Sequence, residues 1–168
     1  MQEIRLTPTS YIVLGLLELA GESTPYALKQ LMAGSVGYFW TLQHAQLYTE
    51  TERLAAGGYV TETREEGGRR RKLYAITDRG RAALGEWRDH PVSERAEQRE
   101  PSLLKLFFGS DPKRLAEAQI PAHRDKLAEY EAIRDGMPEG VPAGPRLALE
   151  SGIRYEREML RFWEELAG

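Results

Sequence analysis

The chain has 168 residues, no cysteine, a net charge of −3 and 41% apolar residues. That length suits one ordinary domain or two small ones, and the apolar share is enough for a real core. The missing cysteines exclude disulfides and thiolate metal sites. No leader-like pattern follows Met1 and no apolar run approaches the ~20 residues that cross a bilayer, so a soluble, cytoplasmic protein with no membrane partner is expected.

The distribution of charge says more than its total. Residues 1–90 hold 11 Lys/Arg against 11 Asp/Glu, and residues 91–168 hold 12 against 15. A wholly basic coat protein is excluded, yet Arg69, Arg70, Arg71 and Lys72 stand together in the neutral half. A short basic tip on a neutral body suits a protein that touches DNA along one edge.

In chain order, Thr7-Pro8 is a helix start, followed by Ile12, Val13, Leu16, Leu17 and Ala20 at helical spacing. A second helix starts at once, with Ser23 or Thr24 as cap and Pro25 at its first position. Leu28, Leu31 and Met32 form its apolar stripe, and Gly34 closes it. Tyr38, Phe39 and Trp40 are expected to plug the space under a third helix running from Thr41 or Leu42 to Ala56, which Gly57-Gly58 ends. Tyr59–Arg64 and Arg70–Ile76, joined by Glu65–Gly68, read as a hairpin with a glycine turn. Thr77-Asp78 caps a fourth helix with Ala82, Ala83, Leu84 and Trp87. The expectation is a mainly α protein with one small β-hairpin. Residues 1–90 form a winged helix-turn-helix domain, in which the third helix reads DNA and the hairpin is the wing.

The segment His90–Pro101 is a linker or a solvated helix. Beyond it, residues 91–168 read as an α-helical dimerisation domain. Leu103, Leu104, Leu106, Phe107 and Phe108 make a compact apolar segment, and Asp111-Pro112 opens a helix that Pro121 either kinks or restarts. The last helix spans about Arg146 to Leu166. Leu149, Ile153, Leu160 and Trp163 recur there at near coiled-coil spacing with Glu156 as a polar interruption, and they are the expected dimer contacts.

The candidate DNA contacts follow from residue chemistry. Gln43, His44 and Gln46 can bond base edges or phosphates, and glutamine suits adenine. Tyr48 either reaches a phosphate or packs on the aromatic group. Thr49 and Arg53 complete the set on the third helix. Arg69, Arg70, Arg71 and Lys72 on the wing can neutralise phosphates or enter a minor groove; the competing reading is a solvated edge that blocks strand pairing. Phe107, Phe108, Tyr130, Tyr155, Phe162 and Trp163 are read as core and dimer interface, with a small-molecule pocket as the alternative. No catalytic residue, cofactor or metal site is expected. His44, His90 and His123 lie far apart, and the nucleophile-elbow, phosphate-loop and dinucleotide motifs are missing from the sequence.

The run from Phe39-Trp40-Thr41-Leu42-Gln43-His44-Ala45-Gln46-Leu47-Tyr48 to Gly57-Gly58-Tyr59-Val60 resembles the reading helix and first strand of PadR-family regulators. Tyr74-Ala75-Ile76-Thr77-Asp78-Arg79-Gly80 resembles the end of their wing, and Leu14–Leu17 and Pro25-Tyr26 also fit. The Phe-Trp pair, Gln46-Leu47-Tyr48 and Leu103–Phe108 look most like the AphA-type branch. Many members have proline after the reading-helix tyrosine, where this chain has Thr49. The resemblance implies a homodimer held by C-terminal helices, double-stranded DNA with a two-fold operator, repression of nearby genes or AphA-like activation, and a small aromatic effector. The competing function is a winged helix used for protein–protein contact.

Overall fold

The structure is a computed structural model that describes residues 4–64, 71–94, 97 and 99–168. It divides into two compact units, Met1–Glu94 and Arg95–Gly168. Among the described residues, the secondary structure is helical apart from one antiparallel pair of strands.

In the first unit, helix α1 spans Pro8–Ala20. The Thr7 amide donates to Ser10 Oγ at 2.8 Å, satisfying a backbone donor that a helix start leaves unpaired. Helix α2, Pro25–Ala33, is capped by Thr24, whose hydroxyl accepts from the Ala27 amide at 3.1 Å. Helix α3 runs His44–Ala56, later than the expected start at Thr41 or Leu42. Gln43 keeps an extended backbone, and its amide donates to Gln46 Oε1 at 3.0 Å, so a glutamine pair rather than Thr41 sets where the helix begins. The preceding aromatics do not form the expected plug. Val36–Tyr38 make a 3-10 turn, and Phe39 and Trp40 stand 66% and 44% exposed.

Strands β1, Val60–Arg64, and β2, Lys72–Ile76, pair in the register Val60 with Ile76 through Arg64 with Lys72. Their connection, including the expected turn and Arg69 and Arg70, lies outside the described residues. On its other side β2 exchanges two backbone bonds with Ser23: Ser23 N to Tyr74 O and Tyr74 N to Ser23 O, both 2.9 Å. Tyr74 is thus held from both sides and fully buried. Thr77 caps helix α4, Asp78–Asp89. Gly80, in the first turn of α4, lies so close to β1 that a Cβ there would sit 2.2 Å from the Tyr59 carbonyl oxygen. The core of this unit joins Val13, Leu14, Leu17, Leu28, Leu47, Leu54, Tyr74 and Leu84.

In the second unit, helix α5 is Pro101–Phe107, α6 is Pro112–Asp135 and α7 is Ala143–Ala167. Pro121 sits inside one unbroken α6 and does not restart it. Helix α7 packs along α6, and Gly152 admits the Tyr130 ring, which a Cβ would meet at 2.9 Å. The apolar seam of α7 closes on the same chain. Ile153 and Trp163 are both 0% exposed, and Leu149 and Leu160 are half-buried. Two of the four expected dimer contacts therefore bury their apolar area inside one subunit.

Candidate nucleic-acid interface

Helix α3 is two-sided. Leu47, Thr51 and Leu54 enter the core, while Gln43, His44, Ala45, Gln46, Tyr48, Thr49 and Glu52 are exposed. Of the two readings of Tyr48, burial on the aromatic group is not what the structure shows, for the residue stands 42% exposed.

What fixes the outward face is a buried polar cluster on the inward one. Ser10 of α1, fully buried, donates to Glu50 Oε1 at 2.5 Å. Arg53 Nε and Nη2 grip the same carboxylate at 2.9 and 2.6 Å in a bidentate pair. Its Nη2 also reaches Ser10 Oγ at 2.9 Å, and Nη1 donates to the Arg5 carbonyl at 3.0 Å. Burial pushes the Glu50 carboxyl up, but the bonds from Arg53 and Ser10 outweigh it and hold the group below the ordinary carboxylate value. Arg53, expected at DNA, is instead the bolt between α3 and α1, because a guanidinium with four hydrogen bonds inside the protein has little left for a phosphate. Sequence reasoning missed Ser10 and Glu50. The Glu50–Arg53 spacing of three hinted at a helical pair, but nothing in the sequence pointed to Ser10, 40 residues away.

A second set of contacts ties α3 to the hairpin. Lys72 Nζ lies 2.8 Å from Glu52 Oε1 on α3 and 3.3 Å from Glu62 Oε2 on β1. The Tyr74 hydroxyl donates to Glu62 Oε2 at 3.0 Å. The bond to Glu52, then that to Glu62, raises the Lys72 ammonium above its ordinary value, so it stays charged. Lys72, a candidate DNA contact, sits in the last strand pair before the hairpin's connection, where it ties the wing to α3 and neutralises an acid on the exposed face. Arg71, exposed, precedes it at the foot of β2. Arg69 and Arg70 lie outside the described residues.

The second unit holds a polar cleft of about 370 Å³. His123 Nδ1 is 2.6 Å from Glu156 Oε2, and Tyr155 donates to Glu100 Oε2 at 3.1 Å. Of the aromatics expected in the core or a dimer interface, with a pocket as the alternative, Trp163 is core, Tyr155 lines this cleft, and Phe107 and Phe108 are exposed. Among the described residues, no group of three or more His, Asp or Glu is placed to hold a metal ion. Nor is any helix long and apolar enough to cross a membrane among those residues.

Three helices, a hairpin whose second strand also pairs with the segment before α2, and a closing helix define a winged helix-turn-helix protein. Residues 13–86 match the Transcriptional regulator PadR-like family and residues 98–168 match Virulence activator alpha C-term. Residues 13–86 of the chain thus carry a PadR-like domain. It is 32% identical over 102 residues to the negative transcriptional regulator PadR of Bacillus subtilis, a match covering 58% of this chain and 54% of that protein. The chain spans about half the length of the curated relatives it matches. Its fold is that of B. subtilis PadR crystallised with operator DNA (TM-score 0.85, 23% identity, 98% of this chain and 100% of that one). The same protein crystallised with p-coumaric acid gives a TM-score of 0.79 at 22% identity over 97% of each chain. The virulence activator AphA of Vibrio cholerae gives 0.67 at 24% identity over 95% of each chain.

Proposed function

We propose that this regulator is a sequence-specific, double-stranded-DNA-binding repressor that works in the cytoplasm as a homodimer and is released from DNA by a small aromatic effector. The observation that carries the reading is the helix α3: its inward face is bolted to α1 through Ser10, Glu50 and Arg53, and its outward face is exposed. A helix so held presents Gln43, His44, Gln46, Tyr48 and Thr49 as one rigid surface to a major groove. Arg71, with Arg69 and Arg70 next to it in the chain, adds phosphate contacts from the wing. The relative crystallised with operator DNA supports the DNA partner, and the one crystallised with p-coumaric acid supports the effector class. Two such helices, held one DNA turn apart at roughly 34–36 Å, would read an operator with two-fold symmetry. A ligand that turned the two winged units would change that spacing and favour the unbound state. No catalytic role is assigned, in keeping with relatives that are transcriptional regulators.

The test is fluorescence anisotropy with the duplex upstream of the chain's own gene, titrated at rising salt beside a scrambled duplex. Preference for the natural duplex and a steep fall of affinity with salt are expected. Replacing Arg69, Arg70 and Arg71 together by alanine should weaken both duplexes and flatten the salt dependence by about one unit of slope for each phosphate no longer neutralised. A wild-type protein indifferent to both duplexes at low salt would end the proposal.

A further inference from the structure

The exposed face of α3 has a chemistry of its own. Ala45 and Thr49 are one turn apart and both exposed. The Thr49 hydroxyl donates to the Ala45 carbonyl at 3.0 Å. With its hydroxyl returned to the helix backbone, Thr49 has its methyl group to offer a partner, beside the methyl of Ala45. Gln46 stands next to them. Its Oε1 already accepts the Gln43 amide at 3.0 Å, which leaves the amide NH2 as the end that meets a ligand. Glu52, one turn beyond Thr49, is engaged by Lys72 at 2.8 Å. The strip therefore combines a hydrogen-bond donor with a pair of methyl groups, and its one acid is neutralised.

The four base edges of the major groove answer this strip differently. Adenine needs an acceptor and a donor side by side, and Gln46 Oε1 is turned back to the Gln43 amide, so the NH2 end is the one that faces a base. Cytosine offers a donor and no methyl, so the two methyl groups would have nothing to cover. Guanine offers acceptors and no methyl. Thymine offers the O4 acceptor beside the C5 methyl, which matches a donor flanked by methyl groups. We propose that α3 selects thymine in each half-site. In this assignment the Gln46 amide donates to O4, and Ala45 and Thr49 cover the C5 methyl. The proposal deepens the DNA-binding reading above, rests on it, and replaces the expected pairing of glutamine with adenine.

The experiment uses the full-length protein. Duplexes are selected from a random library, and each thymine of the enriched duplex is replaced in turn by uracil, which keeps O4 and lacks only the methyl. At the position read by α3, each methyl removed should lower wild-type affinity about fourfold. Thr49→Ser keeps the hydroxyl bond to Ala45 and removes the methyl. This variant should bind the thymine duplex less tightly and bring the thymine-to-uracil ratio at that position towards one, with thermal stability and salt slope unchanged. Uracil tolerated at every position, or Thr49→Ser discriminating as strongly as wild type, would overturn the thymine assignment alone. A selection that enriches nothing would sink the DNA-binding reading and this one with it.

Discussion

Glu50 decides how firmly α3 is held. It is a carboxylate 8% exposed on the inward side of a helix that must present its other side unchanged to a partner. Its three donors come from Ser10 and Arg53, so removing Arg53 strands a buried charge, whereas removing Ser10 takes one donor from Glu50 and leaves the bidentate Arg53 pair in place. Arg53→Ala should destabilise the protein by about 1–3 kcal/mol, more than Ser10→Ala, as read by urea unfolding. The pH dependence has a definite sign. Glu50 titrates below its ordinary 4.5, so its stabilising share is complete above that pH and is lost as pH falls through the lower folded value. The gap in stability between wild type and Arg53→Ala should hold from neutral pH down to about 4.5 and shrink below it; a gap that widened in acid would mean that Glu50 is not the partner at stake. At this scale the sequence was least informative. Gln43, His44, Gln46, Tyr48 and Thr49 could be picked out because they are polar residues on a periodic helix. Arg53 and Lys72 looked the same in the sequence, and only their partners, on α1 and β1, separate a bolt and a brace from a contact residue.

The elements were legible where a local rule forces them. Thr7-Pro8, Thr24-Pro25 and Thr77-Asp78 start helices because a threonine hydroxyl and a fixed proline φ, or a first-turn aspartate, satisfy the helix start without help from the rest of the chain. Helix α3 begins two or three residues late because Gln43 and Gln46 cap it, a pairing weaker in statistical preference than the threonine at 41. Composition alone places the aromatic segment before α3 in the core, but composition cannot tell a buried ring from an exposed one. Non-local fit is also where the joint between β1 and α4 is most sensitive. Gly80 lies under Tyr59, and an added methyl would meet the Tyr59 carbonyl at 2.2 Å and Ile76 Cγ1 at 2.8 Å. The backbone on one side cannot yield as a flexible side chain would. Gly80→Ala should therefore cost about 1–3 kcal/mol despite alanine's better helix propensity, seen as a lowered melting temperature. A neutral or stabilising result would show that α4 can slide away from β1 freely.

For the whole molecule, the question is which apolar surface a second copy would cover. The heptad-like spacing of α7 pointed to Leu149, Ile153, Leu160 and Trp163, but that spacing marks any helix seam and does not say whose helix fills it. Helix α6 of the same chain fills it, with His123 meeting the polar interruption at Glu156. The area left over lies elsewhere: on α5 and the residue after it, Leu104, Phe107 and Phe108 are 61%, 82% and 77% exposed. Isolated surface apolar residues are ordinary, but two adjacent phenylalanines this open, with Leu104 one turn away, form a patch that water disfavours. Covering one phenylalanine side chain is worth about 1.5–3 kcal/mol, and a two-fold interface repeats the same burial on both subunits. Replacing both Phe107 and Phe108 by aspartate should therefore yield helical monomers in sedimentation velocity at micromolar concentration, with far-UV circular dichroism unchanged. Trp163→Asp should behave differently, losing helical signal and dimer together, because it puts a charge into the α6–α7 seam. If Phe107→Asp/Phe108→Asp remained a dimer, the pairing surface would lie off α5, and the spacing of the two α3 helices would have to be set by another face.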